Sequence, residues 1–142
     1  MNESPEVVAP RVLIVEDEPV DVVAVRRGLQ SVGFTGSVLD VHSVDEALAR
    51  IAGAEPPDFI LLDLDMPGRS GLDLLRELRT VEGRQVPPTV VLTSSASDDD
   101  CRACYAAGAA GYFVKPVTWD EMQAMLEVVV AYWTKAHRPR SA

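Results

Sequence analysis

The sequence predicts an α/β protein: a doubly wound, five-stranded parallel sheet with helices on both faces. Three observations carry that expectation. Short apolar runs alternate with amphipathic segments along the chain, the signature of β-α units whose strands lie parallel. The runs Val12-Leu13-Ile14-Val15, Phe59-Ile60-Leu61-Leu62, Val90-Val91-Leu92 and Gly111-Tyr112-Phe113-Val114 are continuously apolar rather than alternating, as strands buried on both faces require. Each of the four ends in a residue with chemistry to offer: Glu16-Asp17, Asp63, Thr93-Ser94 and Lys115-Pro116.

The elements follow in order. Residues 11–16 read as the first strand. Residues 19–32 read as a helix, with apolar positions Val20, Val23, Ala24, Leu29 and Val32 and a stop at Gly33. Residues 37–42 form a second strand. Ser43 is placed to cap a helix whose inner face is Val44, Ala47, Leu48 and Ile51, with Glu46 completing a capping box. Pro56-Pro57 breaks the chain before a strand over 58–63. Ser70 or Gly71 starts a helix buried through Leu72, Leu75 and Leu78. Val86-Pro87-Pro88 leads into a strand over 89–93. Asp98 or Asp99 opens a helix ending near Gly108, 111–114 is the last strand, and Thr118 caps the final helix with Glu121 three residues on. One domain over 11–136 is expected, with flexible segments at 1–10 and 137–142. After Lys115 only one helix's worth of chain remains, so the expectation is a stand-alone domain without an attached output domain.

Composition excludes several classes. A chain of 142 residues suits one domain, and 47% hydrophobic with 25% charged residues is ordinary for a soluble globule. No apolar stretch approaches the ~18 residues of a membrane span. The acidic start Met1-Asn2-Glu3-Ser4-Pro5-Glu6 is no secretory signal, so a cytoplasmic protein is expected. A net charge of −9 argues against nucleic acid, which calls for clustered Lys and Arg; the basic tail from Lys135 to Arg140 is short. Cys101 and Cys104 form a C-x-x-C inside a helix rather than after a strand, and read as two reduced thiols.

In an open parallel sheet, ligands bind outside the carboxyl ends of the strands. Acid, acid, hydroxyl and ammonium should therefore converge on one site suited to a divalent metal and a phosphoryl group. Were Glu16, Asp17 and Asp63 to meet at ~4 Å, each pair would repel by about 4 kcal/mol at an effective dielectric near 20. Such a cluster demands a cation or a raised pKa. Hard oxygen donors beside phosphate suit Mg²⁺.

This constellation resembles the receiver domain of two-component response regulators. The matching residues are Glu16 and Asp17, Asp63, Thr93 and Lys115-Pro116; Thr93 lies 30 residues and Lys115 52 residues beyond Asp63. The resemblance covers nearly the whole chain, about residues 11–133. It implies a flavodoxin-like (βα)5 fold with strand order 2-1-3-4-5. It further implies that Asp63 is the phosphoacceptor for a histidine kinase's phosphohistidine. Glu16, Asp17, Asp63 and the backbone carbonyl of Asp65 would hold Mg²⁺, and Lys115 and Thr93 would contact phosphoryl oxygens. By the same resemblance Ser94 would be the small residue lining the phosphate pocket, and Thr93 and Tyr112 would form the switch. A cis peptide between Lys115 and Pro116 is implied as well. Glu16 where Asp is usual, and the extra hydroxyl of Ser94, are the two departures. By this reading the protein is a phosphoacceptor that catalyses only its own phosphotransfer and slow autodephosphorylation, and it signals by changing partners.

A second reading is a phosphatase of the haloacid-dehalogenase type, since Asp63-Leu64-Asp65 satisfies its D-x-D pattern. That family carries D-x-D on its first strand, whereas this one falls on the third. The partner expected is a sensor histidine kinase or phosphotransfer protein. The ending Val128-Val129-Val130-Ala131-Tyr132-Trp133 is similar to that of small receivers paired with phytochrome-type kinases. On the final helix, Met122, Met125, Leu126, Val129 and Trp133 share one face, which should pack on the sheet. Ala124, Val128 and Ala131, with Tyr132 at the margin, leave the opposite face apolar as well. A helix apolar on both sides has two partners, so a homodimer through this outer stripe is expected, extended by the helix at 99–108.

Overall fold

A computed structural model describes residues 10–80 and 86–136. Five strands alternate with five helices: β1 Arg11–Val15, α1 Pro19–Ser31, β2 Ser37–Val41, α2 Val44–Ile51, β3 Phe59–Leu62, α3 Gly71–Leu78, β4 Thr89–Thr93, α4 Asp98–Ala106, β5 Gly111–Val114 and α5 Trp119–Lys135. All pairings are parallel, and the strand order is β2-β1-β3-β4-β5. The fold class is the expected one. The expected flexible segments fall outside the described residues except for Pro10, whose carbonyl accepts from Ser37 N at 3.0 Å.

Successive strand residues point to opposite faces, so each central strand feeds two cores. On one face Val12, Ile14, Phe59, Leu61, Val90 and Leu92 pack against α1 and α5. On the other, Leu13, Val15, Ile60, Leu62 and Val91 pack against α2, α3 and α4. Strands β1, β3 and β4 are buried almost throughout. β2 and β5 are edges, and there the pattern changes: β2 alternates, and Val114 is exposed. The continuous burial expected of the four apolar runs holds for β1, β3 and β4 and fails at β5.

The inner face of α1 differs from the expected one. Val22, Val25, Gly28 and Leu29 are buried, while Val20 and Val23 lie exposed. Valines occupy both sides of this helix, so periodicity alone could not choose. Packing against α5 chose: a Cβ on Gly28 would collide with Leu126 Cδ1, so glycine allows the two helices to approach. α5 buries Met122, Leu126 and Val129 as expected, and Val130 in addition. Met125 and Trp133 pack partly buried against the same cluster. In α3 the buried set is Gly71, Leu74, Leu75 and Leu78, with Leu72 only partly covered.

Four helix starts are side-chain capped. Ser43 accepts from Glu46 N, Ser70 from Asp73 N, Ser97 from Asp100 N and Thr118 from Glu121 N. The capping box expected at Ser43 is not formed: Glu46 Oε2 accepts from His42 N at 3.2 Å, one residue upstream of the cap. The reciprocal box belongs to Ser70 and Asp73. In α4, Ser97 takes the cap and Asp98 the first helical position, at the early end of the expected start.

Candidate functional site

The site is built on the carboxyl ends of β1, β3, β4 and β5. Glu16 follows β1, and its N–H donates to Val41 O at 3.0 Å; Asp63 follows β3, and its N–H donates to Val15 O at 3.0 Å. Sheet hydrogen bonding therefore carries both acids one residue past the strands and holds them side by side. Both are nearly fully buried, at 4% and 5% exposure. Asp17 is half-buried beside them. Carboxylate oxygens of Glu16, Asp17 and Asp63 all lie within 4.8 Å of one another.

Lys115 reaches this cluster from the end of β5. Its N–H donates to Thr93 O at 2.7 Å, which anchors the residue. Its Nζ lies 2.9 Å from Glu16 Oε2, 2.7 Å from Asp21 Oδ2 and 3.6 Å from Asp63 Oδ2. Burial alone would lower the Lys115 pKa. The hydrogen bonds to Asp21 and Glu16, with the charge of Asp63, more than offset this and raise it above its ordinary value. Glu16 shows the opposite balance. Burial pushes its carboxyl up from 4.5 to about 7, against the hydrogen bonds it accepts from Lys115 and Glu18 N, and the Asp63 charge adds to the rise.

Asp63 Oδ1 is buried and accepts no hydrogen bond among the described residues. A buried carboxylate oxygen without a donor is costly. The Asp63 carboxylate adjoins two more, and the donor set is all hard oxygen. The residues present thus fit a small divalent cation.

The remaining predicted residues lie around this centre. Thr93, at the end of β4, is fully buried, and its Oγ1 accepts from Ser95 N at 3.3 Å. Ser94 is exposed and donates to Asp65 Oδ2 at 3.3 Å, so the β3–α3 and β4–α4 loops touch. Tyr112 packs partly buried against the core and donates from Oη to Ser95 O at 2.8 Å. The Lys115–Pro116 peptide is trans, since the described residues contain no cis bond. This corrects the implied cis geometry: the ordinary trans preference of ~0.5–1 kcal/mol prevails, and Lys115 still reaches its carboxylates. On α5, Val128 and Tyr132 are exposed at 62% and 61%; Ala124 is exposed and Ala131 half-buried.

Sequence reasoning missed two residues at the site. Asp21, in the first turn of α1, makes the shortest contact to Lys115. In the sequence it reads as an ordinary first-turn acid, and its only distinguishing signal is a place one turn beyond Asp17. Gly71 opens α3 against the Asp63 backbone: a Cβ there would meet Asp63 O at 2.5 Å and Leu64 Cα at 3.0 Å. Its N–H donates to Leu64 O at 3.1 Å.

A doubly wound sheet whose carboxyl ends present three acids, a hydroxyl and an ammonium defines a receiver. Residues 12–127 match the response regulator receiver domain family, and the chain belongs to that family. It is 38% identical over 122 residues to the two-component response regulator PhoP of Pseudomonas aeruginosa, covering 84% of this chain and 51% of PhoP. The crystal structure of a phosphorylated cyanobacterial phytochrome response regulator, RcpA, superposes with a TM-score of 0.81 at 26% identity, covering 89% of this chain and 94% of RcpA. The receiver domain of the sensor histidine kinase PA1611 from P. aeruginosa PAO1, solved with magnesium in its active-site cleft, matches at 32% identity with a TM-score of 0.68. That match covers 90% of this chain and 99% of the receiver domain. The chain spans about half the length of PhoP and of several other curated relatives it matches. Within this family match, Asp63-Leu64-Asp65 lies at the end of the third strand rather than the first. No helix among the described residues is long and apolar enough to cross a membrane.

Proposed function

We propose that Asp63 accepts a phosphoryl group from a histidine kinase or a phosphotransfer protein, and that the modified state switches protein–protein interactions. The observation that carries this is the buried Asp63 carboxylate, whose Oδ1 has no hydrogen-bond partner among the described residues, beside two further carboxylates and with the Lys115 ammonium 3.6 Å from its Oδ2. A carboxylate oxygen of Asp63 forms the new P–O bond as the P–N bond to the donor histidine breaks, and the imidazole leaves with a proton. Lys115, 3.6 Å from Asp63 Oδ2, lies within a short swing of the incoming phosphoryl oxygens. Thr93 supplies a hydroxyl to another phosphoryl oxygen, and Ser94, a small side chain, leaves the phosphoryl group room. Slow hydrolysis by water restores Asp63, and the protein turns over no other substrate.

Glu16, Asp17, Asp63 and the Asp65 carbonyl would hold Mg²⁺. The ion supplies positive charge that offsets the carboxylate repulsion and neutralises charge developing on the phosphoryl oxygens. The magnesium-bound receiver domain of PA1611 supports this assignment. A kinase donor fed by ATP fits a cytoplasmic location. Likeness to RcpA supports a phytochrome-type kinase as the donor. The stripe of exposed Ala124, Val128 and Tyr132 with half-buried Ala131 supports a homodimer through α5; light scattering should report two chains, and Val128→Asp a folded monomer.

The deciding experiment treats the protein with acetyl phosphate and Mg²⁺ and weighs it by mass spectrometry. One phosphoryl group is expected, lost in Asp63→Asn and without Mg²⁺. An Asp63→Asn protein that still takes the label would overturn the reading.

A further inference from the structure

Lys115 is held by two carboxylates, and one of them has no part in the phosphoacceptor chemistry above. Asp21 Oδ2 lies 2.7 Å from Nζ and Glu16 Oε2 lies 2.9 Å away, while Asp63 Oδ2, on the side of the reacting centre, is 3.6 Å off. An ammonium has three donors, so two are committed away from Asp63 and the third makes no proper hydrogen bond there. Asp21 does not belong to the acid cluster of Glu16, Asp17 and Asp63. It sits at the rim, with 37% of its side chain exposed against 17% for Lys115 and 5% for Asp63. Its carboxylate therefore acts on the lysine rather than on a cation among the three clustered acids.

We propose that Asp21 is a positioning residue that holds Lys115 back from Asp63 and competes with the phosphoryl group for its ammonium, thereby setting how readily the phosphorylated state forms; this rests on Asp63 being the phosphoacceptor. A charge-assisted N–H···O bond is about 2.7–2.9 Å long. To make one on the Asp63 side, Nζ must move by most of an ångström, and the rim contact to Asp21 is the one free to lengthen. Glu16 cannot give way as readily, because it is buried, and its other oxygen is fixed by the Glu18 amide at 3.0 Å. The alternative is an acid that merely complements the N-terminal dipole of α1. In that case removing its charge would lower stability and leave phosphoryl affinity unchanged.

The test compares the parent, Asp21→Asn and Asp21→Glu, each alone and combined with Lys115→Ala. Beryllofluoride binding at saturating Mg²⁺ is followed by NMR, and the acetyl phosphate concentration for half-maximal phosphorylation is measured alongside. Asp21→Asn should bind beryllofluoride roughly fivefold tighter, the scale of one partly exposed ion pair. Its acetyl phosphate requirement should fall in step, and Asp21→Glu should restore parent behaviour. In the Lys115→Ala background, Asp21→Asn should bind beryllofluoride no tighter than the protein that keeps Asp21. Parent-like or weaker binding by Asp21→Asn overturns the proposal, as does an equal gain without Lys115, which would show a general field effect. Should Asp21→Asn fail to fold, Asp21→Ser takes its place with the same expected gain, and parent-like or weaker binding by it overturns the proposal. A parent that takes neither phosphoryl group nor beryllofluoride removes the phosphoacceptor assignment itself, and the role of Asp21 with it.

Discussion

Tyr112 donates from its hydroxyl to the carbonyl of Ser95 at 2.8 Å, and so ties edge strand β5 to the loop that leaves Thr93. Ser95 N in turn donates to Thr93 Oγ1 at 3.3 Å, and Ser95 Oγ to Asp100 Oδ2 at 2.6 Å in the first turn of α4. A shift of the Thr93 hydroxyl toward a phosphoryl oxygen would cost the loop one of these bonds. Beryllofluoride should therefore move the resonances of Thr93, Ser95, Tyr112 and α4 together. Thr93→Ala should still accept a phosphoryl group but show a smaller response at Tyr112. Spectra unchanged around Tyr112 on activation would sink the switch.

The acid cluster predicts a metal-dependent stability. Mg²⁺ should raise the melting temperature, adding ~2.7 kcal/mol at about 100 times its dissociation constant. Asp17→Asn should remove most of that increment and stabilise the metal-free protein, since it removes a like charge within 4.8 Å of Glu16 and Asp63. Equal Mg²⁺ responses in calorimetry of the two proteins would count against the cluster.

Gly71 predicts a link between packing and chemistry. In Gly71→Ala the new methyl would face Asp63 O at 2.5 Å, a backbone atom with no rotamer to yield. Chemical denaturation should show a loss of about 1–3 kcal/mol, the usual scale of overpacking. Phosphorylation of Asp63 should slow as well, because the loop that carries it must shift. An alanine variant as stable and as reactive as the parent would refute the close approach.

The Asp40 network predicts an acid-side loss of stability. Burial would raise the Asp40 carboxyl, but hydrogen bonds from Arg26 and His42 hold it below its ordinary 3.8. A carboxyl whose pKa is lowered by folding stabilises the protein above its unfolded pKa and loses that contribution as pH falls through the folded one. Asp40→Asn should therefore cost about 1 kcal/mol in urea denaturation at neutral pH. The deficit should shrink as pH drops below ~4. A deficit constant from pH 7 to pH 3 would assign the effect to packing instead.

Much of this molecule was legible in the linear chain because its signals are local. Apolar runs broken by Pro56-Pro57 and by Gly33 mark β-α units, and Ser43, Ser70 and Thr118 mark helix starts through their own neighbours' amides. Glu16, Asp17, Asp63 and Lys115 could be brought together in advance because parallel strands place all their carboxyl ends on one edge. Other features depended on which surfaces met. α1 has valines on both sides, and only the approach of Gly28 to Leu126 decides that Val22 and Val25 face inward while Val20 and Val23 do not. β2 and β5 became half-exposed because strand order makes them edges. The grip of Asp21 on Lys115 joins residues 94 positions apart, and the fit of Gly71 against Asp63 O depends on how closely α3 closes on the end of β3. Residue type and spacing determined which groups reach the site. Only close packing of the helices around the sheet decided which of them touch, because contacts of 2.7 Å and 3.6 Å differ by less than any periodicity can resolve.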